Sequence, residues 1–129
     1  MSKKVILCVD DEKTVLDSLK EQLKSYFGQK YTIELAENAE DAWEIIEELA
    51  ATETRILVIV SDWLMPGMRG DEFLIKVYQT FPTITTILLT GQADTEAVKR
   101  AKTDAKLHRY LSKPWRASEL VEAITSALG

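Results

Sequence analysis

Short runs of β-branched and other apolar residues alternate along this chain with longer stretches whose apolar positions recur at spacings of three and four. Such alternation predicts strands followed by amphipathic helices, the pattern of an α/β sheet covered on both faces. Strands are expected at residues 5–9, 31–36, 56–60, 84–89 and 108–111. The first, third and fourth are nearly continuous apolar runs, as parallel strands buried on both faces require, whereas the second and fifth are more mixed.

The helices follow from period and punctuation. Leu16, Leu19, Leu23 and Phe27 form one apolar stripe, and Ala42, Ile45, Ile46 and Leu49 form a second. Asn38 stands where an N-cap belongs, with Asp41 in the first turn, where an acid favours the helix dipole. A third helix carries Phe73, Leu74, Val77 and Tyr78 and must end before Pro82, which biases Phe81 away from helical geometry. The fourth, around residues 95–102, has only Ala97, Val98 and Ala101 as its apolar face. The fifth starts near Arg116 and uses Leu120, Val121, Ile124 and Leu128. No repeat, low-complexity segment or Gly/Ser/Pro linker interrupts the series, so residues 1–129 read as one domain.

Composition narrows the function classes. A chain of 129 residues with 46% hydrophobic and 29% charged residues is an ordinary globular sequence. Its net charge of −5 argues against direct binding to nucleic acid, which relies on clustered Lys and Arg. No apolar run approaches membrane-spanning length and the first one is too short for a signal peptide, so a cytoplasmic location without membrane partners is expected. Cys8, the one cysteine, lies inside an apolar run and reads as a buried structural thiol.

In open parallel sheets, ligands bind beyond the carboxyl ends of the strands, where strand order reverses. Asp10, Asp11 and Glu12 follow the first predicted strand, Asp62 follows the third, Thr90 and Gly91 the fourth, and Lys113 and Pro114 the fifth. In a 2-1-3-4-5 sheet the first and third strands adjoin, which brings Asp10, Asp11 and Asp62 together. Three such carboxylates repel one another unless a cation or proton compensates. A hard divalent ion such as Mg2+, or Mn2+, suits an all-oxygen set of this kind. Lys113 supplies a positive point charge and Thr90 a hydroxyl, each able to hold a phosphoryl oxygen. An aspartate can itself be the nucleophile toward phosphorus, in a reaction governed mainly by positioning and charge neutralisation.

The runs Val9-Asp10-Asp11, Ser61-Asp62-Trp63-Leu64-Met65-Pro66-Gly67-Met68, Leu89-Thr90-Gly91 and Tyr110-Leu111-Ser112-Lys113-Pro114-Trp115, taken in order, resemble the receiver domain of bacterial two-component response regulators. The resemblance covers essentially the whole chain. It implies a flavodoxin-like, doubly wound fold of five parallel strands and a phosphorylation switch rather than an enzyme acting on other molecules. It further implies that Asp62 is the phosphoacceptor and that Asp11, Asp62 and the Leu64 backbone carbonyl bind Mg2+ directly, with Asp10 assisting. Lys113 would contact the phosphoryl group through a loop containing a cis Lys113–Pro114 peptide. Thr90 and Tyr110 would move together as the switch. A histidine kinase or phosphotransfer protein would be the donor, and an effector would be addressed through the face of the fourth helix, fifth strand and fifth helix. Leu64 and Gln92 would line the path of the hydrolytic water and tune the lifetime of the phosphoryl group.

Other readings stay open on sequence alone. A flavin protein of the same fold needs an uncharged phosphate loop after the first strand, where Asp10-Asp11-Glu12 stands instead. A phosphatase would place its nucleophile in that first loop, and a degenerate receiver would act purely as a docking module. Asp10 and Asp11 could simply cap a helix, and Asp62 could be a turn residue. His108, the one histidine, has no second ligand near it in sequence and reads as structural or exposed. One departure from the family pattern is residues 103–107, which lack the glycine that receivers often carry before the fifth strand.

Overall fold

The apolar runs and amphipathic stretches become strands and helices in regular succession: β1 (Lys4–Val9), α1 (Lys13–Phe27), β2 (Thr32–Ala36), α2 (Ala39–Ala50), β3 (Arg55–Asp62), α3 (Gly70–Thr80), β4 (Thr85–Thr90), α4 (Thr95–Asp104), β5 (Arg109–Ser112) and α5 (Ala117–Leu128). The computed structural model describes residues 3–91 and 95–128. All strand pairings are parallel, and the order is β2-β1-β3-β4-β5, as expected. The mixed composition of β2 and β5 now has its reason, since both are sheet edges.

The period of two along each central strand divides the core into two layers. From β1, Ile6 and Cys8 pack with Leu19 and Leu23 of α1 and Leu120 and Ile124 of α5. Leu7 and Val9 point the other way, among Ala42 and Ile46 of α2, Phe73 and Val77 of α3, and Val98 of α4. The thin apolar face of α4 is therefore sufficient: Ala97, Val98 and Ala101 are all buried.

Helix ends follow their expected chemistry. The Asn38 side chain accepts from the Asp41 N–H at 2.7 Å and so caps α2. Helix α3 stops at Thr80, with Phe81 leaving helical geometry before Pro82. Strand ends shift by a residue or two, and two shifts matter. Asp62 and Thr90 are the last residues of β3 and β4 rather than the first residues of the loops beyond them. Both are thus held by the ladder of the sheet, Asp62 opposite Leu89 and Thr90 opposite Ser112.

The turn without a glycine before β5 is made by Lys106, which takes a φ of 48°. That left-handed conformation costs a non-glycine residue roughly 1–2 kcal/mol. Among the described residues no helix is long and apolar enough to cross a membrane.

Candidate functional site

The parallel sheet directs the ends of β1, β3, β4 and β5 to one edge, where Asp10, Asp11, Asp62 and Lys113 meet. Asp10 follows β1 directly and is 0% exposed, so both its carboxylate oxygens need partners. Oδ1 accepts the Glu12 N–H at 2.8 Å, and Oδ2 accepts the Lys113 ammonium at 2.8 Å. Lys113 also reaches Asp62 Oδ1 at 3.0 Å, bridging the loops after β1 and β5 to the end of β3. Asp11 completes the group from an exposed position. One carboxylate oxygen from each of Asp10, Asp11 and Asp62 lies within 4.8 Å of the others.

The electrostatics follow from this crowding. Burial pushes the Asp62 carboxyl up, the Lys113 hydrogen bond pulls it down, and the charges of Asp10 and Asp11 push it up again, leaving it at about 6. Burial works to lower Lys113, but its hydrogen bonds to Asp10 and Asp62 outweigh that effect and leave the ammonium more firmly protonated than usual. Among the described residues a single ammonium faces three carboxylates, which leaves a deficit of positive charge. A compact, all-oxygen donor set with such a deficit fits a hard divalent cation.

Asp62, only 5% exposed, lies at a cavity of about 570 Å³ lined also by Asp11, Trp63, Leu64, Gly91 and Lys113. The Leu64 side chain is 65% exposed at its rim. Two backbone bonds fix the floor: Trp63 N–H donates to the Leu89 carbonyl at 2.8 Å, and Lys113 N–H donates to the Thr90 carbonyl at 2.8 Å. Thr90 is buried at the end of β4. The Lys113–Pro114 peptide is cis, as the resemblance implied. Tyr110 points outward from β5, 45% exposed, with the Lys102 ammonium 5.2 Å from its ring centre. Gln92 lies outside the described residues.

A profile of the response regulator receiver domain matches residues 6–125. The chain belongs to the response-regulator receiver family. Relatives of this receiver differ in length. The hydrogenase transcriptional regulatory protein HoxA of Cupriavidus necator is 28% identical over 95% of this chain, which spans about a quarter (24%) of HoxA. Chemotaxis protein CheY1 of Helicobacter pylori is 32% identical, with 96% of each chain covered. Among solved structures, the signal receiver domain of an HD domain-containing protein from Pseudomonas fluorescens matches with a TM-score of 0.87 and 32% identity, covering 98% of this chain and 94% of that one. Receivers of this family are signalling switches that work with histidine kinases and effector domains, and they typically bind Mg2+ through acidic residues.

Two features of the site were not singled out from sequence. Gly70, the first residue of α3, sits so close to β3 that a Cβ there would collide with the Asp62 carbonyl, while its N–H donates to the Trp63 carbonyl at 2.7 Å. A glycine opening a helix after a turn was the available signal. Beside it, Asp71 is fully buried and faces Arg69 at 3.4 Å and Arg100 of α4 at 3.5 Å. Cys8 is buried with its thiol pushed up to about 12, and His108 pairs with the Ser126 hydroxyl at 2.7 Å on the surface.

Proposed function

We propose that this receiver is a phosphorylation-dependent switch of a two-component phosphorelay, in which Asp62 takes a phosphoryl group from a histidine kinase or phosphotransfer protein. The observation that carries this reading is the bridge of Lys113 between Asp10 and Asp62 at the mouth of the Asp62 cavity. An Asp62 oxygen attacks phosphorus in line, the bond to the donor's leaving group breaks, and the carboxylate becomes an acyl phosphate. With a pKa of about 6, Asp62 is largely ionised near neutral pH and available as nucleophile. The Lys113 ammonium exchanges its Asp62 contact for a phosphoryl oxygen, and the Thr90 hydroxyl donates to another. Asp10, Asp11, Asp62 and the Leu64 carbonyl would hold Mg2+ or Mn2+, which when bound supplies the positive charge that the three carboxylates and a phosphoryl group lack.

The signal then spreads through Thr90 and Tyr110. Drawing Thr90 toward the phosphoryl group lets the outward Tyr110 ring turn in, shifting an existing equilibrium on the α4–β5–α5 face that an effector reads. Leu64 offers no hydrogen bond to a hydrolytic water, so the phosphoryl group is long-lived, with Gln92 as the second tuning position. Residues 1–129 act in this as one receiver unit, in the cytoplasm.

The test is intrinsic tryptophan fluorescence during titration with Mg2+ and then beryllium fluoride or a small phosphodonor, since Trp63 adjoins Asp62. Saturable changes at both steps, lost on Asp62→Ala, support the assignment. A chain that binds neither would instead be a docking module without phosphorylation.

A further inference from the structure

Helices α2 and α3 leave between them a groove of about 860 Å³ that runs up to Asp11. Its acidic side comes from α2 and the residues before it. Glu40, Glu44 and Glu47 follow one another at spacings of four and three along one face of the helix, and Glu37 stands just ahead of them. All four are exposed, and none has an ion-pair partner among the described residues. Its apolar floor comes from Trp43, Met68 and Phe73. Among the described residues the only basic side chain on the lining is Lys76, whose ammonium lies 4.1 Å from the centre of the Trp43 ring. The groove thus already seats one cation on an aromatic face, a favourable contact in its own right.

We propose that this groove docks a basic amphipathic helix from a partner protein, on a surface separate from the α4–β5–α5 face. The occupant follows from complementarity. Glu40 to Glu47 spans about 10 Å, two turns, so lysines or arginines at the same spacings on an incoming helix meet all three carboxylates. An apolar stripe beside those cations covers Trp43 and Met68, in the manner of helix-in-groove recognition. A nucleic acid is repelled by the same wall, and a small polyamine would leave the apolar floor uncovered.

The experiment uses the full chain in excess Mg2+, so that the Asp11 end is neutralised, and a synthetic helical peptide of about 15 residues, long enough to hold a helix when bound. Lysines occupy positions i, i+4 and i+7, with leucines on the adjoining stripe. Amide and indole spectra are expected to shift along α2, α3 and Trp43. The triple reversal Glu40→Lys, Glu44→Lys, Glu47→Lys should weaken binding by about tenfold or more, and added salt should do likewise. These side chains are exposed and unpaired, so the fold tolerates their exchange; Trp43→Ala tests the floor independently. Undiminished affinity in the reversal overturns the proposal. So does equal binding by a scrambled peptide of the same composition, which would be general attraction to an acidic chain, and so do shifts confined to the α1–α5 side.

Discussion

Replacing Asp62 with Asn should stabilise the metal-free chain at neutral pH. The Asp62 carboxyl is raised from 3.8 to about 6, first by burial and further by the charges of Asp10 and Asp11, with Lys113 opposing. An acid with a higher pKa folded than unfolded binds its proton more tightly in the fold. Stability is therefore gained as pH falls from above 6 toward 3.8, and the cost of the ionised carboxylate is present in full above about 6. At full strength the shift corresponds to about 3 kcal/mol. Asp11 is exposed beside the cavity and solvent reaches the rim, so screening reduces the effect to about 1–2 kcal/mol. Asparagine keeps the shape and an acceptor for Lys113 while removing the charge, and the expected gain is a Tm higher by about 4–8 °C. Thermal unfolding with a chelator, near pH 7.5 and again near pH 4, is the assay. The difference between variant and wild type should shrink at the lower pH, where wild-type Asp62 is protonated. Saturating Mg2+ should reverse the order by stabilising the wild type alone. A variant less stable than wild type without metal at neutral pH, or a gain unchanged near pH 4, would refute the reasoning.

Further expectations concern single side chains. Asp11→Ala should lose Mg2+ affinity and, with it, phosphorylation; a fluorescence titration with Mg2+ that matches wild type would move the metal elsewhere. Leu64→Asn should shorten the lifetime of the phosphoryl group by about tenfold, equivalent to roughly 1.4 kcal/mol of barrier, by giving the attacking water a positioning contact. Phosphate release after donor removal measures it, and a mutant lifetime equal to or longer than wild type rules Leu64 out as the limit. Lys106→Gly should raise stability by up to about 1 kcal/mol in urea unfolding, since glycine adopts the φ of 48° without strain, offset in part by greater freedom of the unfolded chain. A loss of stability would show that Lys106 is held by favourable contacts instead.

The fold was legible because the three central strands stand out as apolar runs and the helices as stripes, with the mixed edge strands β2 and β5 placed by the alternation between them. Asp10, Asp11, Asp62, Thr90 and Lys113 were legible for the same reason, standing at the ends of those strands, where parallel sheets converge. Other features depend on what lies across the fold. Asp71 reads in sequence as an ordinary acid in a first helical turn, and only the approach of α4 makes it a buried carboxylate facing Arg100. The α2–α3 groove needs two helix faces set side by side, each of which looks merely solvated alone. Gly70 reads as a turn residue until the strand beneath it is in place. The turn at residues 103–107 was marked by its missing glycine, but nothing local said that Lys106 would take the left-handed conformation.

The closure of Gly70 onto the Trp63 carbonyl has a consequence for how this receiver can diversify. Residues 64–69 form a loop clasped at its base, because the residue after Asp62 and the first residue of α3 are bonded to each other and Trp63 is bonded in turn to β4. Changes at the exposed Leu64 and Pro66 are thereby decoupled from the backbone that carries Asp62, whereas Met65 is buried in the core and Arg69 faces Asp71. Position 70 itself admits no side chain without displacing that backbone. Variation in the rim of the cavity can accumulate at those exposed positions while Asp62 stays in register with the sheet.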